Sequence, residues 1–194
     1  MLVNYIPKQA QKETQWSGGS TIQLCIYPSD SSYELKDFLF RISSANVMVI
    51  RSSFTHLPGV SRSIMILDGE VKLQHKDQYS KVLRRFDTDQ FEGEWNTTSQ
   101  GLCKDFNLMT IGSCNGKLQN IILNSFETLK TQLFSKERFV GYYLNKGEVS
   151  LTMSTQKIMM FEDDFVLLES ENKCEDLIIN ATKFSELVEV IIYL

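Results

Sequence analysis

The sequence repeats itself, and the repeat restricts the folds open to it more than any single motif does. Residues 62–73 read Arg62-Ser-Ile-Met-Ile-Leu-Asp-Gly69-Glu70-Val71-Lys72-Leu73. Residues 138–151 read Arg138-Phe-Val-Gly-Tyr-Tyr-Leu-Asn-Lys-Gly147-Glu148-Val149-Ser150-Leu151, so Gly-Glu-Val-x-Leu occurs in both. Downstream, Phe86-Asp-Thr-Asp-Gln-Phe91 answers Phe161-Glu-Asp-Asp-Phe165, and Cys103-Lys-Asp105 answers Cys174-Glu-Asp176. Three matches in one order describe a unit built twice. Each unit runs as apolar strand, glycine turn, strand, acidic turn, aromatic strand and final strand. A short sheet cannot bury one face alone; rolling it into a barrel covers that face and removes exposed edges. The expectation is two fused barrels. The first spans residues 1–117 and carries extra N-terminal strands; the second, smaller one spans 118–194, with strands open to exchange between them.

Periodicity supports an all-β chain. Ile22, Leu24 and Ile26 alternate with Thr21, Gln23 and Cys25, and Phe38, Phe40 and Ile42 alternate with Leu39, Arg41 and Ser43. Asp68-Gly69, between two apolar runs, predicts a hairpin, because such a turn favours positive φ. Leu118, Ile121, Ile122, Phe126, Leu129 and Leu133 recur at helical spacing, which predicts a helix joining the halves, with strand as the competing reading. The composition, 42% hydrophobic and 23% charged, suffices for a packed core. A net charge of −4 argues against a nucleic-acid partner. No run is apolar for long enough to cross a bilayer and residues 1–15 lack a secretory pattern, so the expectation is a cytoplasmic protein without a membrane partner. There Cys25, Cys103, Cys114 and Cys174, none in a Cys-x-x-Cys pair, are expected to be reduced structural thiols.

Several short motifs then fall in order. Trp16, Gly18, Gly19 and Thr21 form W-x-G-G-x-T. Phe38 with Arg41, Ser43 and Ala45, and Phe54 with Leu57-Pro58-Gly59-Val60-Ser61-Arg62, come next, followed by Leu67 with Gly69, Phe91 with Gly93, and Asp105-Phe106-Asn107-Leu108-Met109. From about residue 16 to about residue 110 this series resembles the HutD/Ves family of cupin proteins; Ser61 stands where the family often has Asp. The resemblance implies a bicupin, two fused double-stranded β-helix, jelly-roll-like barrels, and a homodimer. It also implies a role in histidine utilisation, by sensing an intermediate such as formylglutamate, or in stress response.

The chemistry points to binding. Catalytic cupins hold a metal with three histidines and a glutamate. Here His56 and His75 are the only histidines, nineteen positions apart, so no metal and no cofactor are expected. His75 is expected to face solvent. His56, in the loop before Pro58-Gly59, is placed for ligand contact or acid–base work, with a plain surface histidine as the alternative. Glu162-Asp163-Asp164 reads as a solvated turn.

The candidate ligand-binding set is Arg41, Arg62, Ser43, Thr21, Gln23 and Asn107, with Trp16 and His56 at a barrel mouth. Arginine grips carboxylates through paired hydrogen bonds, so the expected partner is a small anionic metabolite. The alternative is that Arg41 and Arg62 pair with internal acids such as Asp105 and tie strands together. Gly18-Gly19 either admits ligand close to backbone or permits a tight turn. No activated nucleophile is evident, which favours a binder over an enzyme; the competing class is a metal-free isomerase or hydrolase with His56 or Asp105 as base.

Overall fold

The structure, a computed structural model, describes residues 1–133, 139–154, 156–170 and 174–194. In chain order the strands are β1 (Leu2–Ile6), β2 (Glu13–Trp16), β3 (Gly19–Tyr27), β4 (Phe40–Val47), β5 (Arg51–Ser53), β6 (Val60–His75), β7 (Tyr79–Arg84), β8 (Thr88–Glu92) and β9 (Thr97–Gln100). They continue as β10 (Cys103–Ile111), β11 (Asn115–Leu123), β12 (Thr128–Leu133), β13 (Phe139–Lys146), β14 (Glu148–Thr152), β15 (Lys157–Phe161), β16 (Phe165–Glu169), β17 (Glu175–Ala181) and β18 (Ser185–Tyr193). The only helical piece among the described residues is a 3-10 turn, Lys8–Ala10. Among the described residues no helix is long and apolar enough to cross a membrane. The helix expected over residues 118–133 is absent: β11 and β12 occupy it, separated by a turn at Phe126 with positive φ. There Ile121 and Leu129 are half-buried and Leu123 and Leu133 fully buried, while Ile122 and Phe126 are exposed, so two short strand patterns had summed to a helical period.

Two compact units result, Lys12–Asn115 and Met1–Gln11 with Gly116–Leu194. The first holds the sheet β2-β3-β4-β10-β6-β9-β5, with β7 and β8 also paired to β6. The second holds β1-β16-β13-β18-β11 and β12-β17-β14-β15. Every recorded ladder is antiparallel, and among the described residues the sheets end open rather than closing into rings.

Asp68-Gly69 is not a hairpin. β6 runs straight through it, and Gly69 (φ +83) marks the change of partners: residues 60–69 pair with β10 and residues 70–75 with β7 and β9. A Cβ on Gly69 would lie 2.3 Å from the Leu102 carbonyl oxygen, so only glycine fits. The hairpin closes later, around Asp77.

The repeat is present in the hydrogen bonds. Ile66 donates to the Asp87 carbonyl (3.1 Å) and accepts from Phe86 N–H (2.7 Å); Leu144 does the same with Asp164 (3.0 Å) and Asp163 (2.7 Å). The β6–β10 bulge at Lys104/Asp105 is matched by one in β13–β18 at Leu144/Lys146. This equivalence corrects two details of the sequence alignment. Asp87, not Asp89, corresponds to Asp164. The partner of β10 is β18, so Cys103-Lys-Asp105 is answered by Ser185-Glu-Leu187; the Cys174 segment leads into β17, the counterpart of β9. Arg138, matched to Arg62 by sequence, lies outside the described residues; the residue standing in Arg62's ladder position is Val140.

The acidic turn is solvated only in part: Glu162 is exposed, Asp163 is half-buried and Asp164 is buried. Asp164 is buried and accepts from the Tyr5 hydroxyl (2.6 Å), Lys8 N–H (2.8 Å) and Phe161 N–H (2.9 Å), while Lys8 Nζ sits 2.9 Å from Asp163. The turn therefore anchors the N-terminal segment against β16.

Candidate functional site

Directly paired residues of an antiparallel ladder project to the same face. Gln23 pairs with Ser43, Ser43 with Asn107, Asn107 with Ile64, and Met109 with both Arg41 and Arg62. Thr21 pairs with Ala45, which faces Asp105. Thr21, Gln23, Arg41, Ser43, Asn107 and Arg62 thus share one face, together with Asp105 and, through Arg62, Phe91 of β8.

The two guanidinium groups are buried there, each with 8% residual exposure. Arg41 donates from Nε to Gln23 Oε1 (2.8 Å) and from Nη1 to Ser43 Oγ (3.2 Å), and lies 4.6 Å over the Tyr33 ring. Arg62 lies 4.7 Å from the Phe54 ring centre and 5.2 Å from that of Phe91. Its Nε is buried without a hydrogen-bond partner. Neither arginine forms a direct ion pair with a carboxylate among the described residues. Burial pushes the Arg62 guanidinium down to about 10, and the nearby Arg41 charge adds to this; the group remains charged at neutral pH. Burial likewise lowers Arg41.

Asp105 and Asp89, which pair with Ile66 and Ile64, are buried acids of the same face. Burial drives the Asp105 carboxyl up to about 7, against the opposing pull of the Asn107 amide, Arg62 and the Ala45 N–H. The Asn107 side-chain amide donates to Asp105 Oδ1. The reading in which the arginines are tied by internal salt bridges is therefore not what the geometry contains: Asp105 acts on Arg62 across space without pairing with it.

The second unit supplies an internal comparison. In its ladders Val140, Leu187, Val166 and Leu168 occupy the positions of Arg62, Asp105, Asp89 and Phe91. All four belong to a packed apolar core with Tyr142, Leu144 and Ile191. The fold is content with hydrocarbon at these positions, so the charged groups of the first unit are not required by the backbone.

Other expected residues lie differently. Trp16 is exposed at 39%, and its ring covers Gly18, where an added Cβ would come within 2.0 Å of it; the glycines serve the turn into β3. His56 is exposed in the loop between β5 and β6, with no hydrogen bond or ion pair among the described residues, which removes it from the buried face. His75, expected in solvent, is 2% exposed. Its Nδ1 lies 2.8 Å from Thr97 Oγ1 and its Nε2 3.0 Å from Asp89 Oδ2, among the rings of Phe91, Tyr79 and Trp95. Both ring nitrogens are satisfied, and Met153 and Leu177 occupy the matching positions of the other unit.

Sequence reasoning left out Tyr33, Phe54 and Phe91, the rings on which the guanidinium groups rest. Phe91 reads as core filler until its pairing with Arg62 is known; Tyr33 lies in an aperiodic loop. The cysteines are unpaired, and burial pushes Cys25 and Cys103 up to about 12 and Cys114 to about 11, away from thiolate reactivity. No cluster of three or more His, Cys, Asp or Glu that could hold a metal occurs among the described residues.

Comparison with known proteins gives the fold a setting. No curated protein matches the sequence. Among solved structures, the conserved protein PA5104 of Pseudomonas aeruginosa PAO1 superposes with a TM-score of 0.87 at 18% identity over 100% of both chains. HutD of Pseudomonas fluorescens SBW25 (formate condition) gives 0.73 at 18% identity over 97% of this chain and 98% of its own. A cupin 2 conserved barrel domain protein of Leptotrichia buccalis gives 0.58 at 9% identity over 98% and 96%, which places the chain among cupin-type folds. The sequence model of the HutD family matches residues 8–186, and the chain belongs to that family.

Proposed function

We propose that this protein is a metal-free bicupin that binds a small carboxylate metabolite on the arginine-bearing face of its first unit. The observation that carries the reading is the buried Arg62 Nε without a partner. A buried charge without its counter-ion is costly by several kcal/mol, and a carboxylate accepting from Nε and a neighbouring Nη would relieve that cost. Arg41 lies close enough to depress Arg62 further, so one anion would offset two positive fields. Ser43, Gln23, Asn107 and Thr21 supply neutral partners for the rest of the ligand. The family resemblance suggests formylglutamate as an example, and a regulatory or stress-related role exercised as a cytoplasmic homodimer.

Thermal melting against formate, glutamate, formylglutamate, urocanate and citrate tests this. Ligand at about a hundred times its dissociation constant adds about 2.7 kcal/mol. A stabilisation by one compound, absent in Arg62→Met, supports the reading; no stabilisation by any of them refutes it.

One observation favours a second reading. Asp105 is buried on the same face as Arg62, and burial raises its carboxyl to about 7, the range of a general base at neutral pH. On that reading the protein is a metal-free isomerase or hydrolase of the same anion. NMR of the bound compound over time distinguishes the two: conversion that Asp105→Asn abolishes would displace the binding reading.

A further inference from the structure

A second polar surface lies on β5, β9 and β6, away from the arginine face. Arg51, Gln100 and Lys72 stand in one cross-strand row; Ser53, Thr98 and Gln74 stand in the next. Strand alternation puts both rows on the same face, and all six residues are exposed. Ser52 and Ser99, which alternate with them, point the other way and share a hydrogen bond of 2.8 Å. The six side chains border a cleft of about 460 Å³. None of the six is committed to a side-chain hydrogen bond or an ion pair among the described residues.

The cleft has a definite chemical character. Among the described residues it is lined by two cations and no carboxylate, in a chain whose 24 acids outnumber its 20 Lys and Arg. Neighbouring strands are about 4.8 Å apart, so Arg51 and Lys72 leave the sheet about 10 Å apart, astride Gln100, and their long stems allow both heads to meet on one anionic group. The second row offers two hydroxyls and a carboxamide, all neutral. No aromatic ring borders the cleft, so nothing there stacks a nucleobase. The repeat again provides the comparison: Thr128, Asn180 and Ser150 occupy the row of Arg51, Gln100 and Lys72, and they carry no charge. Thr128 donates to Asn180 Oδ1 at 2.8 Å, so that row is satisfied internally.

We propose that this cleft binds a phosphorylated sugar or polyol, its phosphate held between Arg51 and Lys72 and its hydroxyls bonded along Ser53, Thr98 and Gln74. Guanidinium and ammonium together suit a phosphate dianion. The site is separate from the arginine face and stands or falls without it.

The test is an NMR titration of the full chain with glucose 6-phosphate, and separately with glucose and with inorganic phosphate, each to about 10 mM, where millimolar affinity is visible. Glucose 6-phosphate is expected to shift amide signals of β5, β9 and residues 72–74, about tenfold more tightly than either half alone. The exposed double variant Arg51→Ala/Lys72→Ala, whose fold does not depend on these side chains, should lose the response, and Arg62→Met should keep it. Sedimentation with vesicles carrying phosphatidylinositol 4-phosphate separates a lipid headgroup from a free phosphate ester; co-sedimentation lost in the double variant also supports the site. A response that survives the double variant, an equal response to inorganic phosphate, or no response from ester and vesicle alike overturns the proposal.

Discussion

Replacing Arg62 by Met should make the ligand-free protein more stable. Burial lowers this guanidinium from 12.5 to about 10, and each unit corresponds to about 1.4 kcal/mol, so the charged group costs the folded state about 3 kcal/mol. Methionine reproduces the arginine stem as far as the Nε position and ends short of Cζ, the atom that lies over the Phe54 and Phe91 rings, so the exchange forgoes a cation–π term of about 1 kcal/mol. The folded pKa lies below the unfolded one, so the penalty is present at every pH below about 10 and is relieved only above it. The net gain is about 2 kcal/mol, or a rise in Tm of about 4–8 °C for a chain of this size. Val140 in the equivalent position shows that the fold accepts hydrocarbon there. Thermal and urea unfolding at neutral pH without ligand make the measurement. A fall in Tm of several degrees would mean that Arg62 ties the structure together, and the reasoning from its unpartnered Nε would fail.

Asp105→Asn should change how stability depends on pH. The folded carboxyl titrates at about 7 and the unfolded one near 3.8, so its contribution is complete below about pH 4 and is lost as pH rises to 7, by up to about 4 kcal/mol; the variant should lack this fall in urea unfolding, and parallel curves would contradict it. Asp164→Asn weakens the acceptor shared by Tyr5, Lys8 and Phe161 and should cost about 2 kcal/mol, seen as faster amide exchange over residues 2–8 with Lys12–Asn115 unaffected; unchanged exchange would show that β1 is held by its ladder alone. His75→Met removes the partner of Asp89 Oδ2, while Tyr79 and Lys81 still hold Oδ1, and should cost about 2 kcal/mol, whereas adding Asp89→Val, as in the other unit, should recover at least about 1 kcal/mol in a double-mutant cycle; simple additivity would deny the coupling. Gly69→Ala should cost about 2–4 kcal/mol in urea unfolding, because positive φ and the Leu102 carbonyl both oppose a Cβ; a cost under about 1 kcal/mol would mean the bend relaxes freely.

The sequence by itself determined the all-β class, the twofold construction, the family and the residue types of the arginine face, because these rest on local alternation and on motif order. Alternation placed Arg41 with Ser43 and Thr21 with Gln23, since a period of two needs no tertiary information. Which strands meet was not local information. Register between β6, β10 and β8 decided that Arg62 rests on Phe91 and faces Asp105 without pairing with it. Register also corrected the repeat, because Cys103 and Cys174 match in letters while their strands occupy different places in the ladders. Asp68-Gly69 looked like a hairpin because positive φ serves a turn and a change of partner equally well, and only the Leu102 carbonyl distinguishes them. His75 and Asp164 read as surface residues because burial of a polar group depends on distant partners: Thr97 and Asp89 for one, Tyr5 and Lys8 for the other. The tertiary structure alone decided which charged groups are satisfied and which is left buried without a partner.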